Sequence, residues 1–267
     1  MAEALTLAWE TAADAWTCER LAALLDAQLR LAAFRDASDN GLQVGNEGPI
    51  TRVATAVDAS LETFEAAVAA GAQLLIVHHG LSWRGSLARV TGLNRRLLAY
   101  LLGHNLALYA AHLPLDAHPQ LGNNVQLAQA LGLQQCRPFM DYHGQLIGVA
   151  GVLPQAMGRD AFEAAVRAVV HPKRVARFDY GPETVRTVGI CSGGAPEGVE
   201  EAARAGLDMY LCGEANLVAY NLAKQWGANA LFAGHYATER FGVRAAGQWL
   251  SDQTGLPVTF LDFDLPW

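Results

Sequence analysis

The sequence predicts an α/β fold of two similar modules with largely parallel sheets. Three observations carry that expectation. Apolar runs of strand length alternate with helical patterns closed by glycine, the alternation occurs twice, and 52% of the 267 residues are hydrophobic. That content suffices to bury one large core or two modest ones.

Residues 15 to 34, AWTCERLAALLDAQLRLAAF, carry apolar positions at helical spacing and predict an amphipathic helix. DASDNGLQVGN follows, with Asn40-Gly41 as a turn signal. Strands are then expected at 53–59, 73–77 and 106–111, separated by glycine-closed helices at 63–71 and 94–103. The same order returns as a strand at 185–191, the loop SGGAP, a helix at 197–206, a strand at 207–212, a helix at 216–227 and a strand at 229–234. This weak internal repeat suggests a first module over residues 1–130, which the C-terminal segment 240–267 can complete, and a second over 131–239.

Charge and cysteine usage narrow the function classes. Asp plus Glu number 26 against 19 Lys plus Arg, a formal net charge of −7 with no basic run. Binding of nucleic acid through a basic face is therefore not expected. The start, MAEALTLAWETAADAW, has no basic region ahead of an apolar core, and no stretch nears the roughly 20 apolar residues of a membrane span. The chain reads as cytoplasmic. Cys18, Cys136, Cys191 and Cys212 are too widely spaced for a CxxC motif and are expected as buried thiols in a reducing compartment.

Metal chemistry must then rest on histidine and carboxylate. In LLIVHHG (74–80) a buried strand runs out into His78 and His79. Neighbouring strand residues point to opposite faces, so the two imidazoles can share a site only if the chain turns, which Gly80 permits. Each half's last strand also runs into a His-x-x-x-carboxylate pattern: His112 and Asp116 in AAHLPLD, His235 and Glu239 in AGHYATE. One such pattern alone is equally a salt-bridged helix start. Together His78, His79, Asp116, His235 and Glu239 all follow expected strands and would gather at one sheet edge between the modules. Imidazole and carboxylate suit divalent first-row metals such as Fe, Zn, Mn or Ni, and five ligands suit two ions better than one. Asp116 and Glu239 are natural bridging carboxylates. Asp58, Asp39 and His112 are candidates to orient the ligands from behind, or equally turn and strand-end caps.

SDNGLQVG, VHHGLSWRG, HLPLDAHPQLGNN, LCGE and GHYATERFG, in this order, resemble the Nif-three-like dinuclear-metal proteins, whose members often carry the description GTP cyclohydrolase I type II homologue. The resemblance runs from about residue 35 to the C-terminus. It implies two similar α/β domains, a paired metal centre held by His78, His79, Asp116, His235 and Glu239, and a ring-shaped homohexamer. Gly80 followed by LSWRG, where many members have proline, resembles the compact bacterial branch and puts substrate contacts around Trp83 and Arg84 in question.

The functional expectation is a metal-dependent hydrolase acting on a small substrate, nucleotide-like ones included, with Glu214 of LCGE as candidate acid or base. The alternative is a metal-binding or metal-delivery protein without turnover. No phosphate loop of the GxxxxGK[ST] type is present, and CSGGAP (191–196) is either an anion-binding substitute or plain strand-to-helix turn chemistry.

Overall fold

The computed structural model describes residues 15–265 apart from 86 and 88. Helix α1 (Cys18–Leu29) buries Cys18, Leu21, Ala22, Leu25 and Leu29, the stripe that its apolar spacing dictates. It is shorter than the expected 15–34 helix. Arg30 adopts φ 54°, which ends the α-helix, and residues 31 to 33 continue only as a 3-10 turn.

Strand β1 (Gly41–Val44) opens the first sheet, followed by β2 (Val53–Asp58), α2 (Leu61–Ala69), β3 (Leu74–His79), α3 (Gly92–Gly103) and β4 (Ala107–Ala110). Ser60 caps α2 by accepting from the Thr63 amide. All four residues of β4 and the first five of β2 and β3 are buried. That is why these strands are unbroken apolar runs rather than alternating ones: α1 covers one face of the sheet, α2 and α3 the other.

A short helix α4 (Leu113–Asp116) and α5 (Asn123–Ala130) lead into the second sheet. It begins with a long hairpin, β5 (Gln134–Tyr142) and β6 (Gln145–Gly158), and continues through α6 (Arg159–Val170) and β7 (Ala176–Asp179). The repeat then follows as β8 (Thr184–Cys191), α7 (Gly198–Arg204), β9 (Met209–Cys212), α8 (Leu217–Trp226) and β10 (Asn229–Phe232). The hairpin and β7 were not legible beforehand. β5 faces outward along most of its length and carries no buried periodicity.

The final elements, α9 (His235–Thr254) and β11 (Val258–Phe260), cross back to the first sheet. Tyr236, Val243, Ala246 and Leu250 of α9 join the first module's core, while Ala237 joins the second's. The sheet orders are β1-β4-β3-β2-β11 and β5-β6-β8-β9-β10-β7. In the first sheet only the β1 edge is antiparallel. In the second, β8-β9-β10 form a parallel centre flanked by antiparallel strands. Thus β2-β3-β4 and β8-β9-β10 are equivalent parallel triplets, each with its helices between strands.

Cys18, Cys191 and Cys212 are buried as expected, but Cys136 is exposed, since it lies on the outward part of β5. No helix among the described residues is long and apolar enough to cross a membrane. Trp249 and Leu265 pack against the first core rather than standing exposed, and Pro266 and Trp267 lie outside the described residues.

Candidate metal site

The carboxyl ends of the parallel strands deliver the candidate residues to one place. β3 ends on His78 and His79, β4 is followed by His112 with Asp116 on α4, and β10 is followed by α9, which carries His235 and Glu239 in its first two turns. His78 and His79 share the site without a turn, for both lie within β3 and their rings are 4.7 Å apart. Glu239 provides the meeting point: Oε1 lies 3.5 Å from His78 Nε2, and Oε2 lies 3.3 Å from His79 Nε2 and 3.2 Å from His235 Nε2. Gly80 keeps φ outside the left-handed region, and its role is close approach, since a Cβ there would meet Gln43 at 2.5 Å and Ala110 at 2.6 Å.

All four imidazoles are oriented in one way. Nδ1–H of His78 donates to the Ala111 carbonyl at 2.8 Å, that of His79 to Asp58 at 2.7 Å, that of His112 to Asp36 at 2.9 Å and that of His235 to Glu214 at 2.7 Å. A carbonyl or carboxylate can only accept, so Nδ1 carries the proton and Nε2 turns its lone pair to the centre when the ring is neutral. The outer partner thereby fixes both tautomer and ring direction. Asp58 and His112 were the expected supporting residues, and Glu214 was the expected acid or base. Asp58 and Glu214 both sit behind a ring, whereas His112 stands in the cluster with its own support, Asp36.

Three overlapping groups have atoms that all lie within 4.8 Å of one another: His78 with His79 and His112, His79 with His235 and Glu239, and His78 with Asp116 and Glu239. His78 Nε2 and Glu239 Oε2 are buried without a hydrogen bond. Polar atoms buried in that state carry a desolvation penalty unless something else satisfies them. Nitrogen and oxygen donors that converge without hydrogen bonding one another fit a cation.

The electrostatics agree. Burial disfavours a charged His78, yet Asp116 and Glu239 outweigh burial and raise its pKa to about 10. Burial likewise opposes charge on His235, and Glu239 and Glu214 raise it to about 9. Burial would push the Glu239 carboxyl up, but His78 and His79 hold it well below the usual carboxylate range. Protons on these rings substitute for positive charge that the carboxylates demand.

Asp116 is buried and braced: Asn123 Nδ2 donates to its Oδ1 at 2.9 Å, and Ser192 Oγ lies 3.4 Å from the same oxygen. Gly193, in the CSGGAP loop, has φ +65°, and a Cβ on it would lie 2.0 Å from Glu239 Oε1. The loop therefore presses directly on the central carboxylate. Its Ser192 and Gly193 amides already donate to Asn124 and Thr238, at 2.7 and 3.0 Å.

Asp36 was missed by sequence reasoning. It accepts from His112 Nδ1, from the Leu113 and Ser38 amides and from Asn40. Its only signal was its place in DASDNG, where the turn reading absorbed it. Asp39 does not support an imidazole in this structure; it accepts from Ser82 Oγ and the Gly85 amide, bracing the loop after β3. A cavity of 470 Å³ opens over the cluster, with Trp83, Met140 and Tyr142 in its wall. Arg84 does not line it.

The comparisons with known proteins bear on the whole chain. The family model for Duf34/NIF3 (NGG1p interacting factor 3) matches residues 16–265. The GTP cyclohydrolase 1 type 2 homolog of Deinococcus radiodurans is 41% identical, covering 92% of this chain and 92% of that protein. The Escherichia coli K12 protein of the same description is 37% identical, covering 91% and 96%. Among solved structures, protein ybgI aligns with a TM-score of 0.88 at 36% identity over 94% of this chain and all of that one. A Thermus thermophilus protein aligns with a TM-score of 0.85 at 33% identity, again over 94% of this chain and 100% of its own. The chain therefore belongs to the Duf34/NIF3 family.

Proposed function

We propose that the chain holds two divalent transition-metal ions and is a metal-dependent hydrolase of a small, nucleotide-like substrate. The observation that carries this reading is the convergence of the His78, His79 and His235 Nε2 atoms on Glu239, with Asp116 beside His78, His112 beside His78 and His79, and His78 Nε2 and Glu239 Oε2 buried and unsatisfied. His78, His79, His112 and His235 would supply nitrogen, and Asp116 would supply oxygen. Glu239, whose two oxygens face different imidazoles, would supply oxygen as well. A pair of such ions supplies Lewis acidity and a nucleophile near neutral pH. The chain's own residues hold the four ring tautomers through Ala111, Asp58, Asp36 and Glu214, and the cavity over that cluster gives a substrate room beside it.

The relatives' description, GTP cyclohydrolase 1 type 2 homolog, is compatible with ring-opening hydrolysis. One observation favours metal delivery instead: Glu214, the expected acid or base, is engaged by His235. Elemental analysis of protein purified without chelator, paired with a hydrolysis screen, separates the readings. About two ions per chain with turnover supports the hydrolase, two ions without turnover supports delivery, and failure to bind added Mn, Fe or Zn defeats both. We further propose a homohexamer. Leu93 and Leu102 of α3 and Leu217 and Val218 of α8 are each more than half exposed and favour burial between copies. Light scattering that gives a monomer at micromolar concentration refutes it.

A further inference from the structure

The start of α5 joins the elements that carry the candidate ligands. Gly122 lets the chain fold back on itself there, since a Cβ on it would lie 2.5 to 2.8 Å from the carbonyl oxygens of His118, Asp116 and Leu115. Asn123 is thereby returned to Asp116. Asn123 and Asn124 are both fully buried, so a partner that either one loses is not replaced by bulk water.

Both ends of the Asn123 amide are engaged at the site. Its Oδ1 accepts from the Gly242 amide at 2.6 Å, and its Nδ2 donates to Asp116 Oδ1 at 2.9 Å. The orientation is forced, because a backbone N–H can only donate: Gly242 requires the oxygen and leaves the nitrogen to the carboxylate. Gly242 lies on α9 three residues after Glu239, on the same side of the helix. A Cβ on it would meet Asn123 Oδ1 at 2.7 Å, so glycine is what admits the amide against the helix. Asn124 holds the second module in the same way, with Oδ1 accepting from the Ser192 amide and Nδ2 donating to the Ile147 carbonyl, both at 2.7 Å. Ser192 Oγ then lies 3.4 Å from the Asp116 oxygen that Asn123 holds. With Oδ1 occupied, Asp116 turns Oδ2 to His78 Nε2.

We propose that Asn123 is a positioning residue of the metal site, one amide that turns Asp116 Oδ2 to the cluster and fixes Asp116 against the helix carrying Glu239. This rests on the metal-centre reading above and adds to it the group that sets the spacing of the two carboxylates. The group His78, Asp116 and Glu239 depends on that spacing, whereas the group His79, His235 and Glu239 does not include Asp116. Asn123 therefore governs one ion position and spares the other.

The test loads the full chain with Mn, measures metal content by elemental analysis and affinity by competition with a chromogenic chelator, and records the electron paramagnetic resonance of the bound ions. Asn123→Asp keeps an acceptor for Gly242 but sets a second carboxylate against Asp116. It is expected to weaken one ion by about 10- to 100-fold, to leave the other unchanged, and to convert the signal of a coupled Mn pair into that of isolated Mn. Gly242→Ala keeps every polar group and displaces the amide, and it should weaken the same ion; it decides the matter where Asn123→Asp does not fold. In an Asp116→Asn background, Asn123→Asp should change the affinity of the remaining ion by less than about twofold, because Asn123 acts through Asp116. A further loss there marks a general packing fault and overturns the proposal. Two ions at unchanged affinity with a coupled signal in both variants also overturn it, while leaving the metal centre standing. Wild-type protein that takes up no metal overturns both.

Discussion

Residues 112–116, HLPLD, and 235–239, HYATE, are the same His-x-x-x-carboxylate pattern at equivalent strand ends, but the two carboxylates occupy different positions in the site. HLPLD makes a single helical turn after β4, where Asp116 is braced by Asn123 and approaches one imidazole, His78, at 3.5 Å. HYATE opens the 20-residue helix α9, and Glu239 reaches His78, His79 and His235 at 3.2 to 3.5 Å. The longer side chain, carried on a helix that packs across both cores, spans the boundary between modules. Repetition of a motif therefore supplied imidazole and carboxylate twice, and packing assigned one copy as anchor and the other as hub.

The largest expected effect breaks the hub. Glu239→Gln should abolish binding of a metal pair and remove the metal-induced rise in melting temperature, because a neutral amide offsets none of the repulsion between neighbouring dications. Asp116→Asn should cost less, with one ion retained, since Asp116 faces only His78. Metal stoichiometry and melting curves with and without added metal check both, and equal losses in the two variants would erase the distinction between anchor and hub.

Next come the residues behind the rings. Glu214→Gln and Asp58→Asn should each weaken metal affinity by about 10- to 100-fold, the range typical of groups that orient a ligating histidine. Competition with a chromogenic chelator measures it. Gly193→Ala tests the second module's loop separately: its Cβ would enter the space of Glu239 Oε1 and should weaken metal binding, although no ligand is changed.

A smaller effect concerns pH in metal-free protein. His78 and His235 have folded-state pKa values raised from 6.5 to about 10 and about 9. Protonated, they stabilise the fold; that contribution is complete below pH 6.5 and is lost as pH rises through about 9 and then 10. The melting temperature of metal-free protein should fall across that window, and metal-loaded protein should show less of the fall. The smallest effect is expected from His104→Gln and His171→Gln. His104 is exposed at the end of α3 and bonds the Tyr100 carbonyl, and His171 ends α6 at φ 50°. If either distal change removed the metal while Glu239→Gln did not, the site would lie elsewhere.

Much of this was legible in the sequence because it depends on periodicity and residue type. Continuous apolar runs gave β2, β3, β4, β8, β9 and β10, since strands buried on both faces need no alternation. Glycines at helix ends and the repeated order located the parallel triplets. The histidines and carboxylates at strand ends were visible as a candidate site because an α/β sheet gathers those ends at one edge. The β5-β6 hairpin was not visible, because an outward strand on a sheet edge leaves little hydrophobic pattern.

What only the tertiary structure decided is direction and contact. No local pattern shows that Asp36, Asp58, Glu214 and the Ala111 carbonyl would each accept an Nδ1 proton and so orient four imidazoles of one cluster, for those partners lie 21 to 76 residues away from their histidines. Nor could the sequence separate His112, which enters the cluster, from Asp39, which braces a loop. Both are polar residues in turn-like surroundings, and a side chain's role there is set by which distant backbone and carboxylate groups fall within about 3 Å once the sheets have packed.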